Sequence, residues 1–493
     1  MSDNDNPEVP SWPRKIVPPG NRPELRVLVE LWDALNEKYA DHFFRRGSTL
    51  LLRLRSKLEE VSVPRLAALL PSAAEFVNAK GKRVKIDKEL VSKMVHRPEL
   101  RCREILGVVT SPYLAPDLTI VTERGYNAET KLWLEPASGL GKFEPMNLRR
   151  ALDNLEPLLA FPFATPADRV HALGLYLLLL VRPAIDGPTP MHLISGVREG
   201  SGKTYLARCA HLLATGQEPS VRSLAKWEDE ASRQLVAALA EIPSFLLLDN
   251  LPTGFTLGWS DLHRMVSAHG LVPIRLVGAG REVIVPIRCV WVATANNADV
   301  DPEQARRTVP ICLLPGGGAK ADSGEAPHVY ILRNRTLLVA SLFRLVKEWI
   351  RHGCPTPTRT LPGFGEWSDI VGGIVSLALG DEHWLSIEHR PNPGVVEDWL
   401  YLFKVWPMEA GTNGRSPMKP AGVAKLVEDL TLPVLGEAID AGVKGRANAT
   451  KMGKLLTDLV KSGRNIGGFV MHRKMNRNGW VYWPEAVAEA QRT

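Results

Sequence analysis

Cysteine is scarce in this chain. The five among 493 residues (Cys102, Cys209, Cys289, Cys312 and Cys354) are scattered, and no CxxC pair occurs. That pattern excludes a zinc knuckle and a disulfide framework, and it fits a reducing, cytoplasmic compartment. Long apolar runs are missing too. The most apolar one, Leu173–Val181, falls well short of the about 20 residues that span a bilayer. It reads as a buried helix, so no membrane partner is expected. The polar, acidic start MSDNDNPEVP lacks the hydrophobic segment of a signal peptide. Tandem repeats and heptads are absent, which excludes solenoids and coiled coils. The first 150 residues hold no acidic polymerase cluster, so no primase site is expected.

What is present is an ordinary globular composition, with 45% hydrophobic and 23% charged residues. The length suggests about three or four domains. Net charge is +7 and unevenly placed. From Gly411 to Thr493, thirteen lysines and arginines face seven acidic residues, so nearly all the excess lies in the last sixth of the chain. A compact basic end module reads as a polyanion-binding footprint; a merely solvated basic surface is the plainer alternative.

Residues 1–24, rich in Pro, Asp and Asn, read as a disordered tail. Residues 25–150 read as a mixed α/β N-terminal domain. Helical spacing covers Leu25–Tyr39, and strand-like runs follow at Thr49–Leu54, Val108–Val109, Leu118–Val121 and Leu132–Leu134. Residues 151–330 alternate helical and buried-strand patterns, as a parallel α/β sheet does. Strands are expected at His192–Ser195, Phe245–Leu248 and Val290–Ala293. Residues 331–410 read as helical, entered by an amphipathic helix over Val329–Ile350 with Leu337, Leu338, Leu342, Leu345 and Trp349 on its apolar face. Residues 411–493 hold helical patterns at Ala421–Leu430, Val434–Ala441 and Thr450–Lys461. Two alternating runs, Phe469–Arg473 and Trp480–Trp483, then flank Asn478-Gly479, a hairpin signal. Helices followed by a ribbon suggest a winged-helix DNA-binding domain. Lys451 and Lys454 would lie on its groove-facing helix, and Arg473, Lys474 and Arg477 on its wing.

Chemistry concentrates at Ile194–Tyr205, ISGVREGSGKTY. Apolar residues precede it and a helical run follows, the strand–loop–helix context of a phosphate-binding loop. Glycines let backbone N–H groups turn toward phosphate oxygens, and the helix start adds its positive dipole end. Gly200, Ser201, Gly202, Lys203, Thr204 and Tyr205 are the candidate ATP-binding residues. Lys203 would reach the β/γ phosphates and Thr204 would ligate Mg2+. The usual first glycine of the motif is Val197 here, with Gly196 one step earlier.

Three companions follow in order. Phe245-Leu-Leu-Leu-Asp249 is an apolar strand ending in a carboxylate, placed to hold Mg2+ through water. The next residue, where such ATPases often carry a second acid, is Asn250; an amide orients water but cannot take its proton. Glu228 and Glu230 are alternative acids. Val290–Asn297 ends another apolar strand in two amides, and Asn296 is the candidate sensor of the γ-phosphate. Arg306 and Arg307 come about ten residues later. Arg307 is the candidate finger that would reach a neighbouring subunit's phosphate, a contact worth roughly 10³–10⁵ in rate. Between these, Ile274–Val285 reads as a hairpin with Arg281 near its tip, placed to touch DNA inside a ring.

The order GSGKT, LLLDN, WVATANN and ARRTVPICLL resembles the AAA+ helicase-like replication proteins of phages and mobile elements, of the superfamily III and minichromosome-maintenance-like kind. The resemblance implies an α/β fold built on a P-loop AAA+ core, with a helical lid over 331–410 and the winged helix after it. It also implies a hexameric, ATP- and Mg2+-dependent DNA helicase or replication initiator, with single-stranded DNA in the pore, duplex at the C-terminal domain and a primase fused or separate. Lys203, Thr204, Asp249, Asn296 and Arg307 carry over by position, and Arg333 or Arg335 would supply a second sensor arginine. Two other classes stay open. A DNA-bound ATP switch or loader would tolerate the slow turnover that Asn250 suggests. A P-loop kinase or transferase would need neither the basic module nor the arginine pair.

Overall fold

Apolar runs that a chain cannot expose pair with one another. The computed structural model describes residues 13–18, 23–55, 57–78, 80–136, 140–196, 200–251, 256–275, 282–296, 299–314, 326–385, 393–408, 415–430, 432, 435, 446–462, 465–466, 469–477 and 479–486. Within it, Met191–Gly196, Phe245–Leu251 and Val290–Asn296 lie in one five-stranded, wholly parallel sheet. The order across the sheet is Val221–Arg222, Phe245–Leu251, Val290–Asn296, Met191–Gly196, Thr308–Leu313. Its inner strands are covered on both faces, which is why they read as continuous apolar runs rather than as alternation. Pro310 cannot donate to a ladder and sits in an edge strand. The stretch before the Pro166–Val181 helix closes that edge. Ala164 N–H donates to Cys312 O at 2.9 Å, and Cys312 N–H donates to the buried Asp168 carboxylate at 2.8 Å.

The Pro166–Val181 helix is apolar around most of its circumference and is correspondingly buried, Leu173–Val181 included apart from the half-buried Leu179. Pro327–Arg351 forms the expected long helix, burying Leu338, Leu342, Leu345 and Trp349 while Leu337 stays half-buried. Here packing departs from the expected division of the chain. Leu338, Trp367, Ile374 and Trp384 share one hydrophobic core with the sheet, so the helical region is built into the domain of the parallel sheet. The following Pro393–Val405 helix joins a different core. Its Trp399, Leu402 and Phe403 pack with Val423, Met452 and Leu456 of the last module, so the packing boundary precedes residue 393 rather than falling at 410.

The N-terminal part is mixed α/β. Helices Glu24–Lys38, Val63–Ala73 and Lys88–His96 enclose a core of Trp32, Phe43, Leu66, Phe76 and Met94 beside a four-stranded sheet that contains Thr49–Leu54. The stretch expected to be a disordered tail contributes a strand, Arg14–Ile16, paired in parallel with Ala74–Phe76. In the last module, helices Pro420–Asp429 and Arg446–Ser462 precede an antiparallel ribbon, Phe469–Asn476 with Gly479–Ala486, and Asn465–Ile466 adds a short third strand. The helix expected at 434–441 lies outside the described residues except for Leu435, and Asn478 of the hairpin turn lies outside them as well. Among the described residues, no helix is long and apolar enough to cross a membrane.

His192, on the Met191–Gly196 strand, carries a pH consequence. It is fully buried, its ring stands edge-on to Trp367, and neither ring nitrogen finds a partner among the described residues. Burial pushes its pKa down to about 3 from 6.5. The unfolded chain therefore binds a proton below about pH 6.5 that the fold refuses. This contribution to stability is full above that pH and falls as pH drops toward 3, by up to about 1.4 kcal/mol per pH unit. Replacing His192 with Leu should flatten the fall of melting temperature between pH 7 and pH 4. An unchanged slope would show that another group controls acid sensitivity.

Candidate nucleotide site

The Met191–Gly196 strand ends at the loop, and the helix Lys203–Thr215 begins seven residues later. Val197 lies outside the described residues. Gly196 is fixed by space: a Cβ there would fall 2.4 Å from Ser201 Oγ and 3.3 Å from the Leu313 carbonyl. Gly200 and Gly202 are fixed by backbone, with φ of +80° and +90°, a left-handed region costly for other residues. Gly202 caps the helix, and Leu206 N–H is the first to reach back, to Gly202 O at 2.9 Å. The N–H groups of Lys203, Thr204 and Tyr205 thus stand outside the helical ladder at the positive end of its dipole. Lys203 is buried, its ammonium donating to the buried Ser201 hydroxyl at 3.1 Å.

Opposite Thr204 stands Asp249. Its strand pairs regularly with Val290–Asn296 through Leu248, then shifts register before Leu251 pairs with Ala295. The irregularity places Asn250 at φ +53°. A bulge of this kind re-aims the side chains around it. Asp249 Oδ1 accepts from the Thr204 hydroxyl at 2.7 Å and from the Thr294 hydroxyl at 2.6 Å. The Asn250 N–H in turn donates to Thr294 Oγ1 at 2.8 Å. Asn296 lies two residues beyond Thr294 on the same strand, in register with Gly196. Its side-chain oxygen is buried without a partner among the described residues, at the mouth of the glycine loop.

These residues fit a nucleoside triphosphate with its metal. Gly196 leaves room that a Cβ would fill, and Gly200 and Gly202 hold left-handed backbone. The hydroxyl of Thr204 and the carboxylate of Asp249 are hard oxygen donors of the type Mg2+ takes, one or two from protein and the rest from phosphate and water. Among the described residues, no group of three His, Cys, Asp or Glu side chains could cage a metal alone.

Other expected contacts are placed elsewhere. The Tyr205 side chain leaves the loop: its hydroxyl meets His328 Nδ1 at 2.7 Å and accepts from the His328 N–H at 3.0 Å, so only its backbone faces the phosphate end. Arg335 is buried at the opposite end of the same helix, donating to Leu213 O at 2.9 Å and Ala214 O at 2.7 Å. It caps that helix C-terminus, and about 15 Å or more of helix separates it from the glycine loop. Arg333 lies two residues earlier on the same helix, exposed. Arg307 precedes the Thr308–Leu313 strand, and its carbonyl accepts from Met191 N–H. It therefore sits at the opposite end of the strands from Gly196, about 17 Å along them. There its guanidinium donates to Ser267 Oγ at 2.7 Å and to Glu303, holding the Glu303 carboxyl below its ordinary pKa. Arg307 is thus not part of its own chain's nucleotide site. Glu230 is engaged by Arg233 on its own helix.

The hairpin arms are Leu271–Arg275 and Glu282–Pro286; Arg281 lies outside the described residues. On the last module Lys451, Lys454, Lys474 and Arg477 are exposed, while Arg473 lies over the Trp480 ring, 4.4 Å from its centroid. Thr294 is the site residue that sequence reasoning missed. The signal was its spacing, since residues two apart on a strand share a face and Asn296 had been singled out.

No family profile matches the chain, and no curated protein matches it. Among solved structures, it is similar to the apo C-terminal region of NrS-1, with 12% identity, TM-score 0.38, and 93% of this chain and 98% of that one covered. It is similar to the active helicase form of SCCmec type IV Cch, with 10% identity, TM-score 0.30, and 89% and 90% covered. It is also similar to JCV helicase, with 17% identity, TM-score 0.24, and 48% and 62% covered. At these identities and scores the likenesses describe neither activity nor site.

Replacing Arg335 with Met should separate a cap from a nucleotide contact. Two helix-end carbonyls lose their donors, at a cost of about 2–4 kcal/mol. A lower melting temperature with unchanged affinity for an ATP analogue is expected. Weaker nucleotide binding at unchanged melting temperature would contradict the cap.

Proposed function

We propose that this chain is a Mg2+-dependent ATPase with a P-loop AAA+ core, and that it works on DNA as a helicase or replication initiator of a phage or mobile element. The observation that carries the ATPase reading is the convergence of Thr204 and Thr294 on Asp249 beside a loop whose Gly200 and Gly202 hold left-handed backbone. In this reading the loop N–H groups and Lys203 grip the β/γ phosphates. Thr204 and Asp249 hold Mg2+, which when bound offsets phosphate charge. Asn296 offers its amide at the loop mouth, where it would orient the attacking water or read the γ-phosphate. With Asn250 after Asp249, either another acid, such as Glu228 or Glu230, takes the proton of that water, or turnover is slow.

The DNA reading rests on the basic last module, whose helices and ribbon fit a winged helix with Lys451 and Lys454 on one element and Arg473, Lys474 and Arg477 on the other. Arg307, removed from its own site, would serve a neighbouring subunit in a ring, hexameric by resemblance; in that ring Arg281 would line the pore. One observation favours a second reading. Asn250 lacks the acid of a fast motor, which suits a DNA-bound ATP switch that loads or remodels a partner.

Strand displacement on forked DNA distinguishes the two. ATP-dependent unwinding that Lys203→Ala abolishes is the outcome expected of a helicase. DNA binding without unwinding would leave the switch, and absence of both would contradict the DNA reading. Lys454→Ala should weaken binding to unrelated sequences alike and reduce the slope of log affinity against log salt by about 1. An unchanged slope would remove Lys454 from the interface.

A further inference from the structure

Thr294 lies on the strand between the glycine-loop strand and the Asp249 strand, fully buried. Its single hydroxyl makes two bonds with different partners: it donates to Asp249 Oδ1 and accepts from the Asn250 backbone N–H. Both partners lie where the Asp249 strand loses register, so ladder bonds do not fix their orientation there. Asn250 is held in a left-handed conformation, and Asp249 lies between it and the last regularly paired residue, Leu248. One hydroxyl ties the irregular turn to the regular neighbouring strand.

We infer that Thr294 is a positioning residue that sets the Asp249 carboxylate for the metal and fixes the turn presenting Asn250; this rests on the nucleotide-site reading above. Asp249 Oδ1 already accepts from Thr204, the residue at the start of the loop helix. The second donor from Thr294 prevents the carboxylate from swinging with Thr204 when that side chain adjusts to a ligand. Partners that orient metal-binding groups typically change metal affinity by about 10–100-fold when removed. Valine has the same shape as threonine and no hydroxyl, whereas serine keeps the hydroxyl and loses only a methyl group.

The test is a set of equilibrium titrations with a non-hydrolysable ATP analogue, with Mg2+ and with chelator, on the wild-type chain, Thr294→Val and Thr294→Ser. Each variant's melting temperature is measured alongside. The ratio of the two affinities isolates the contribution of the metal. The expected result is a ratio about tenfold smaller in Thr294→Val, wild-type in Thr294→Ser, with metal-free binding unchanged in both. A lower melting temperature in Thr294→Val with an unaltered ratio would make Thr294 purely structural and overturn the inference. If the wild-type chain binds the analogue under neither condition, the nucleotide-site reading itself fails and Thr294 falls with it.

Discussion

The candidate nucleotide site is organised around one carboxylate oxygen. Asp249 Oδ1 receives hydroxyls from the loop helix and from the neighbouring strand, and so joins three elements that are far apart in sequence. The strand loses its regular register between Leu248 and Leu251, and the Asn250 N–H bond to Thr294 ties that irregular stretch to the neighbouring strand. The glycines complete the arrangement from the other side. Gly196 admits Ser201 where a side chain would stand, and Gly202 lets the helix start in a left-handed residue.

The loop helix is also held at both ends by one other helix. Tyr205 near its start meets His328, and the carbonyls of Leu213 and Ala214 near its end accept from Arg335. The two helices therefore run side by side in the same sense, tied across about two turns. The long helix carries its Leu338, Leu342 and Leu345 into the core that surrounds the sheet. The same long helix reaches Met146 and Asn154 through Arg344 and Ser341.

The strands and the loop could be read from sequence because each depends on local pattern. Buried strands leave continuous apolar runs, and the glycine loop announces itself by composition, so Lys203, Thr204, Asp249 and Asn296 stand out in the sequence as candidates. What depended on distant partners was not legible. The bulge at Asp249–Asn250 exists only against the Val290–Asn296 strand. Arg335 looks like any helical arginine until the carbonyls of Leu213 and Ala214 stand before it. Tyr205 follows the motif yet turns to His328, and Arg14–Ile16 becomes a strand only by pairing with Ala74–Phe76. The break before residue 393 is likewise set by which core takes Trp399 and Phe403, a choice no composition change marks.

The most direct test of the central claim is a structure determined with Mg2+ and a non-hydrolysable ATP analogue. The account predicts β- and γ-phosphates on the backbone of the glycine loop beside Lys203, a metal touched by Thr204 and by Asp249 directly or through water, and Asn296 turned to the γ-phosphate. Nucleotide bound elsewhere, or a metal held away from Thr204 and Asp249, would contradict it.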